Sequence, residues 1–281
     1  MNERERAAYA EENIAYWTGR APGYSAVNQE ELSTSQHRVW GKLLAEKIKA
    51  RWKGRRPEDI QVLDVGTGPG FFAIVLAEMG YSVTAVDYTA EMLKEARENA
   101  GTLGKKIRFM EMNAEELSFP SECFDVVVSR NLTWNLPHPK KAYCQWVRVL
   151  KPGGLLLNFD ANWYRYLYDP EAEAAHRRDR ENVVSLAVED DTAGTDVDAM
   201  EAIARKAPLS ALTRPAWDMN ILNGLGMDAL ADCGIWKQVW TETERINNQS
   251  TPMFMICGVK RKENVSFACY SDRAGEHVGY A

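Results

Sequence analysis

The sequence predicts an α/β fold, a doubly wound and mostly parallel sheet with helices on both faces. Three observations predict it. Short runs of valine, leucine and isoleucine alternate with longer helical segments, and strands that are apolar throughout are typical of a sheet covered on both faces. The first such run, residues 61–65, leads directly into glycines at alternate positions, Gly66, Gly68 and Gly70. The second run ends in an acidic residue, Asp87.

The N-terminal segment is predicted to be helical but interrupted. Residues 3–30 have a composition that favours helix, whereas Gly19, Pro22 and Gly23 predict a break within it. A second, amphipathic helix begins with Ser33 or Ser35 as its N-cap and continues to about residue 52. We therefore expect a helical arm or lid over residues 1–53.

Strands and helices then alternate regularly. The expected order is strand 61–65, helix 71–79, strand 83–87, a helix from Thr89 as N-cap to residue 100, strand 107–112, strand 124–129, helix 140–150 and strand 155–160. The helix at 140–150 is followed by Lys151-Pro152-Gly153-Gly154, and a proline cannot continue a helix. This alternation predicts a parallel sheet.

The pattern changes after residue 160. About 60 residues of mostly helical composition separate strand five from two strand candidates at 236–241 and 253–260. Ligands of open α/β sheets bind beyond the carboxyl ends of the strands. We therefore expect residues 161–222 to form a helical cap over that edge, with the sheet domain built from 54–160 and 223–262 and a polar tail at 263–281.

Composition and charge exclude several function classes. The 281 residues are 45% apolar and 26% charged, enough for one sizeable core. The net charge is −6 and no basic stripe is present, which disfavours nucleic-acid binding. No run approaches the ~18 apolar residues of a membrane span, and the five scattered cysteines indicate neither disulfides nor zinc. We expect a cytoplasmic protein without a bound metal, and a homodimer is an open alternative.

The glycine loop predicts a nucleoside ligand that has no pyrophosphate. Glycines after a strand let bare backbone approach a ligand, and Asp87 lies 21 positions after Gly66, where a carboxylate can bind both ribose hydroxyls. A dinucleotide fingerprint requires glycine at the sixth position, which lets the helix pack close and offer its N-terminus to a pyrophosphate. This chain has Phe71 there.

Five blocks of sequence follow one another in a recognisable order. They are Asp64-Val-Gly66-Thr-Gly68-Pro-Gly70, Val86-Asp87, residues 113–120 (NAEELSFP), residues 124–130 (FDVVVSR) and residues 148–154 (RVLKPGG). Together they resemble class I S-adenosylmethionine-dependent methyltransferases of methyltransferase type 11, and are similar to the branch of ubiquinone and menaquinone biosynthesis methyltransferases. The resemblance covers roughly residues 55–160. It implies a Rossmann-like, seven-stranded sheet whose last strand is antiparallel, but it names no substrate.

The resemblance also implies the cofactor, S-adenosylmethionine, with S-adenosylhomocysteine as product. The glycines would lie beside its methionine part, Asp64 would orient the amino group, and Asp87 would bind the ribose. Asn113 falls where the family commonly has an aspartate for adenine, so a weaker adenine contact is expected. Arg130 either pairs with the cofactor carboxylate or caps the sheet edge. The predicted cofactor-binding set is Asp64, Gly66, Thr67, Gly68, Gly70, Asp87, Tyr88, Met92, Asn113, Ala114 and Arg130.

Methyl transfer needs a positioned nucleophile more than it needs reactive side chains. A general base is required only when the acceptor is protonated at neutral pH. His138, between two prolines after strand four, is the candidate base, and loop structure is its alternative role. Aromatic residues either close over the site or pack the cap onto the sheet; the predicted substrate pocket comprises Tyr16, Trp17, Tyr24, Trp134, Trp163 and Tyr164.

Other methyltransferase types are disfavoured. A metal-assisted type requires a carboxylate after strand four, where this chain has Ser129-Arg130. A base-amino type requires an Asn/Asp-Pro-Pro-aromatic turn, and residues 131–134 do not form one. We predict a methyltransferase that acts on a small molecule at oxygen, nitrogen, carbon or sulfur by in-line displacement. The alternatives are a nucleotide-dependent oxidoreductase, which Phe71 disfavours, and a non-catalytic cofactor-binding sensor or subunit.

Overall fold

The computed structural model describes residues 2–262 and is organised around one seven-stranded sheet. Its strands are β1 (Gln61–Val65), β2 (Ser82–Asp87), β3 (Ile107–Glu111), β4 (Phe124–Arg130), β5 (Leu150–Asp160), β6 (Met227–Asp232) and β7 (Phe254–Lys260). The strand order is β3-β2-β1-β4-β5-β7-β6. Strands β1 to β5 pair in parallel, and β7 is antiparallel to both β5 and β6. The order reverses between β1 and β4, and the crevice at such a switch is where α/β folds bind ligands.

Helices cover both faces of this sheet. They are α1 (Glu3–Ser33), α2 (Ser35–Arg51), α3 (Phe71–Glu78), α4 (Ala90–Ala100), α5 (Pro139–Val149), α6 (Pro170–Ser185), α7 (Val197–Ala204), α8 (Ala216–Gly224), α9 (Trp236–Val239) and α10 (Glu242–Asn247). On one face, α2, α3 and α9 bury Trp40, Phe72 and Val239 against the strands. On the other, α5 and α8 bury Trp146 and Leu222. This is the doubly wound, Rossmann-like arrangement that the sequence predicts.

The predicted elements between residues 61 and 160 are confirmed, with one difference in β5. This strand begins at Leu150, which pairs with Phe124, and its register shifts before Val126 pairs with Leu155. The expected turn at 151–154 is therefore a distortion within the strand, where Gly153 has a φ of +77°. Pairing with β4 on both sides of the glycines holds the distorted segment in the sheet.

The N-cap of α2 is Thr34, not Ser33 or Ser35 as expected. Two of the expected elements are also wrong. The arm is not broken at Gly19, Pro22 and Gly23, because α1 runs through all three. Its two halves are held by separate partners, with Tyr9 bonded to Asn135 and Ser25 to Asn99, and these tertiary contacts override the low helix propensity of the middle.

The second error concerns the strand candidate at 236–241. This segment forms α9, and the edge strand is β6 instead. The helix is explained by buried apolar residues at helical spacing, Ile235, Val239 and Trp240. They pack on the same face of the sheet as α2 and α3. In β6 the apolar Met227 and Ala229 alternate with exposed residues, as a half-buried edge strand requires.

No helix within residues 2–262 combines the length and apolarity needed to cross a membrane. The predicted tail, 263–281, lies outside the described residues. The division of the chain into arm, sheet domain, cap and tail stays a prediction.

Candidate functional site

One cavity of about 820 Å³ lies beyond the carboxyl ends of β1, β2 and β4. Its volume is typical of small-molecule sites, which span roughly 300–1,000 Å³. Helix α1 lines one wall from Glu3 to Asn28, and residues of the 163–200 segment line another. Every predicted site residue except Gly70 lines this cavity, namely Tyr16, Trp17, Tyr24, Asp64, Gly66, Thr67, Gly68, Asp87, Tyr88, Met92, Asn113, Ala114, Arg130, Trp134, His138, Trp163 and Tyr164.

The glycine loop requires glycine for two physical reasons. Gly66 and Gly68 have φ values of +67° and +52°, a region that residues with a Cβ rarely adopt. A Cβ on Gly66 would also lie 2.6 Å from Leu132 Cδ2, which is too close, whereas one on Gly68 would make ordinary contact, at 3.5 Å, with the Tyr24 ring. The loop is therefore closely covered, by the chain after β4 and by α1.

Gly70 has a different task. It is the N-cap of α3 with a φ of +95°, and a Cβ there would lie 3.1 Å from Ala96 Cβ on α4. The absence of a side chain lets the two helices approach each other. Gly70 shapes the fold beside the cavity without lining it.

Two carboxylates lie at the ends of adjacent strands. Asp87 accepts the N–H of Thr89 on Oδ1 and the N–H of Gly68 on Oδ2, each at 2.9 Å. Asp64 accepts the hydroxyl of Thr67 at 2.7 Å. Burial raises the pKa of Asp87, and it raises the pKa of Asp64 to about 7. The hydrogen bonds orient both carboxylates before any ligand binds.

The loop after β3 is ordered by its own side chains. Asn113 Oδ1 accepts the N–H of Glu115 at 2.8 Å, and Glu115 Oε1 accepts the N–H of His138 at 2.6 Å. Glu115 is buried in the cavity wall and burial raises its pKa. Sequence reasoning missed it, because nothing in the local pattern separates it from the exposed Glu116.

Arg130 lines the cavity and is held by α1 and by aromatic rings. Its guanidinium donates two hydrogen bonds to Glu31 of α1, at 2.7 and 2.8 Å. It also lies over the rings of Trp40, Phe71 and Phe72, with its Cζ 4.6 Å from the Phe71 centroid. Arg130 thus connects α1, which lines the cavity, to the end of β4.

His138 is held as the N-cap of α5. Its Nδ1 lies 2.6 Å from Arg6 Nη1. A guanidinium can only donate, so Nδ1 accepts and the ring proton is assigned to Nε2. Neither ring nitrogen then offers a free lone pair to a substrate proton.

Aromatic rings form two rows that line the remaining part of the cavity. On α1, Trp17 lies 5.4 Å from Tyr16 and 5.7 Å from Tyr24 between ring centroids. After β4 and β5, the row is Trp134, Tyr164, Tyr166 and His176, with Tyr166 and His176 stacked at 3.9 Å. We call this part the aromatic chamber. Tyr166 and His176 were absent from the predicted pocket, although the alternation of Tyr164 and Tyr166 was visible in the sequence.

The acid at the end of β5 is fully engaged. Asp160 pairs with Arg214 at 2.7 Å, both are buried, and Arg214 also binds Asp218. Within residues 2–262, no group of three or more His, Cys, Asp or Glu side chains is arranged to hold a metal ion.

Comparisons with known proteins agree with this geometry. Residues 63–158 match the family model described as "Methyltransferase domain". A phosphatidylethanolamine N-methyltransferase of Cereibacter sphaeroides is 38% identical over 98 residues, which cover 34% of this chain and 47% of that protein. The ubiquinone/menaquinone biosynthesis C-methyltransferase UbiE of Stutzerimonas stutzeri is 35% identical over 144 residues, covering 49% and 53%. The chain spans about half the length of the curated relatives it matches.

A solved structure extends the likeness to most of the chain. It is a chain of the complex between the Haloferax volcanii Trm112 methyltransferase activator and a methyltransferase, with a TM-score of 0.55 and 18% identity. The match covers 87% of this chain and 97% of that one. At this identity it shows a shared fold.

Proposed function

We propose that this chain, whose residues 63–158 form a class I S-adenosylmethionine-dependent methyltransferase domain, transfers a methyl group from that cofactor to a small molecule. The observation that carries the proposal is the continuity of the cavity. The glycine loop with its two carboxylates and the aromatic chamber line one space of about 820 Å³. A donor and an acceptor could therefore meet within it.

The residues of the loop suit the cofactor. Asp87 uses one lone pair on each oxygen for a backbone N–H, and a carboxylate has about four such sites, so acceptors remain for two ribose hydroxyls. The Asp64 carboxylate would pair with the amino group, and Asn113 and Ala114 would border the adenine. When bound, S-adenosylmethionine supplies a methyl group on a sulfonium that is already activated for displacement.

The residues of this chain would position the substrate and exclude water from the cavity. Helix α1 is fastened over the cavity by Glu31 to Arg130 and by Tyr9 to Asn135. The two aromatic rows would hold the substrate's reactive atom in line with the methyl group, and such positioning supplies much of the rate in bimolecular reactions. His138 has no place as a base in this scheme, because Arg6 occupies its Nδ1.

Two measurements test the proposal. Calorimetric titration should show binding of S-adenosylhomocysteine and no comparable binding of NAD or NADP. Incubation with methyl-labelled S-adenosylmethionine and small-molecule extracts should give a labelled product, and Asp87→Ala should lower the yield. Glu98→Ala, at an exposed position of α4 outside the cavity, is the matched control.

Other results would contradict the proposal. Binding of NAD in place of S-adenosylhomocysteine would favour an oxidoreductase. Tight binding of S-adenosylhomocysteine without transfer to any extract component would favour a sensor or a subunit.

A further inference from the structure

We propose that Arg20 binds an anionic group of the methyl acceptor, a carboxylate or a phosphate that is separate from the methylated atom. This inference rests on the proposed function. It narrows the substrate class from small molecules in general to small molecules that carry an acidic group. Arg20 would then determine substrate specificity without taking part in the transfer itself.

Arg20 lies on the face of α1 that lines the cavity. Tyr16, Arg20 and Tyr24 follow one another at intervals of four residues, which places them on one side of a helix, and all three line the cavity. The Arg20 guanidinium donates from Nη2 to Thr195 Oγ1 at 3.0 Å, and Thr195 also lines the cavity. The cation is therefore half-buried in the cavity wall, between two rings of the aromatic chamber.

The guanidinium has unused hydrogen-bond donors. It carries five N–H groups, but within residues 2–262 its one hydrogen bond is to Thr195, and it forms no ion pair there. Its other nitrogens, Nε and Nη1, are accessible and not enclosed by protein. Arg130 and Arg180, which also line the cavity, each pair with a carboxylate, at 2.7 and 2.8 Å. Arg20 can therefore pair with an anion on a ligand, whereas those two arginines are already neutralised.

The acids of the same region are engaged elsewhere. Asp191, which lines the cavity, accepts from Asn248 at 2.6 Å and lies 3.5 Å from Arg180. Asp196 is the N-cap of α7 and accepts a backbone N–H at the start of that helix, at 3.0 Å. Neither carboxylate forms an ion pair with Arg20, so neither neutralises the guanidinium by direct contact.

Two phenols add donors to this part of the cavity. Tyr16 and Tyr164 line it, and neither hydroxyl forms a hydrogen bond within residues 2–262, although both oxygens are accessible. Burial raises the pKa of Tyr16, which the nearby charge of Arg20 opposes, and burial also raises the pKa of Tyr164. Both phenols therefore keep their protons at neutral pH. A cation with protonated hydroxyls beside it suits an anion better than it suits an amine.

The carboxylate of the cofactor is another anion that the cavity would hold, but the position of Arg20 favours the substrate. Tyr24, one helical turn further along α1, is the residue in contact range of Gly68 in the glycine loop. Arg20 is instead bonded to Thr195, in the same segment after β5 that supplies Tyr164 to the aromatic chamber. An anion on Arg20 would therefore belong to a ligand in the chamber.

A kinetic test uses the substrate identified from the labelled extract. We expect Arg20→Gln to raise KM for that substrate about 10- to 100-fold with little change in kcat, because a contact away from the reacting atom binds ground state and transition state alike. Arg20→Lys keeps the charge and should restore part of the affinity. Arg4→Gln, at an exposed position of α1 outside the cavity, is the matched control and should behave as the wild type does. An unchanged KM for Arg20→Gln would overturn the inference.

An uncharged analogue of the substrate separates anion binding from a structural role of Arg20. With the anionic group replaced by an amide or an alcohol, the wild type should lose the same 10- to 100-fold in kcat/KM, and Arg20→Gln should lose nothing further. If Arg20→Gln impaired the reaction of the analogue as much as that of the acid, Arg20 would only shape the cavity and the inference would fail.

The product and the cofactor give independent tests. The labelled product should contain a carboxylate or a phosphate apart from the labelled methyl group; a product without one would overturn the inference and leave the proposed function intact. So would weaker binding of S-adenosylhomocysteine but not of 5′-methylthioadenosine to Arg20→Gln, since only the former carries a carboxylate. No transfer by the wild type would overturn the proposed function itself, and this inference with it.

Discussion

Asp87→Ala should weaken the binding of S-adenosylhomocysteine by about 1–3 kcal/mol, or roughly 5- to 150-fold. We expect this loss of binding free energy to have two parts. One is the proposed pair of bonds to the ribose hydroxyls. The other is indirect, because Asp87 also accepts the N–H groups of Gly68 and Thr89 at 2.9 Å, and its removal would loosen the glycine loop.

A thermodynamic cycle separates the two parts. Calorimetric titration of the wild type and Asp87→Ala with S-adenosylhomocysteine and with its 2′,3′-dideoxy analogue gives four affinities, whose coupling isolates the ribose contacts. We expect most of the loss to disappear with the analogue. Equal losses for both ligands would refute a ribose contact and leave Asp87 only the task of shaping the loop. Glu98→Ala should bind both ligands as the wild type does.

Three more predictions concern Asp64, Asp218 and Gly70. S-adenosylhomocysteine should bind more weakly as the pH falls through about 7, because burial raises the pKa of Asp64 to about 7 and a protonated carboxyl cannot pair with the ligand's ammonium. Calorimetry should show an affinity of Asp64→Asn that does not change with pH. A wild-type affinity that is independent of pH would contradict the pairing. Asp218→Asn should lower the free energy of unfolding by on the order of 3 kcal/mol, since it leaves the buried Arg214 with one carboxylate. Urea unfolding measures this change, and an unchanged midpoint would contradict the prediction. Gly70→Ala should destabilise by about 1–3 kcal/mol because of its positive φ and the nearby Ala96, as thermal unfolding would show by a lower midpoint.

The strands, the glycine loop and the part of the cavity beside that loop were predictable because their signals are local. An apolar run followed by glycines that must take positive φ determines the strand, the turn and the start of α3 within about fifteen residues. The same locality explains the two errors. The composition at Gly19, Pro22 and Gly23 favours a break in the helix. Contacts with residues far along the chain keep α1 continuous instead.

The rest of the site depends on partners that are distant in sequence. Arg130 pairs with Glu31 across 99 positions, and His138 meets Arg6 across 132.

The fold class and the position of the glycine loop follow from the amino-acid sequence alone, because backbone conformation and strand order are local properties or follow from simple rules of chain connection. The pairing of Arg130 with Glu31 and the contact of His138 with Arg6 depend on the tertiary structure. Hydrogen bonds require a partner within about 3 Å, and only the folded chain brings those partners together.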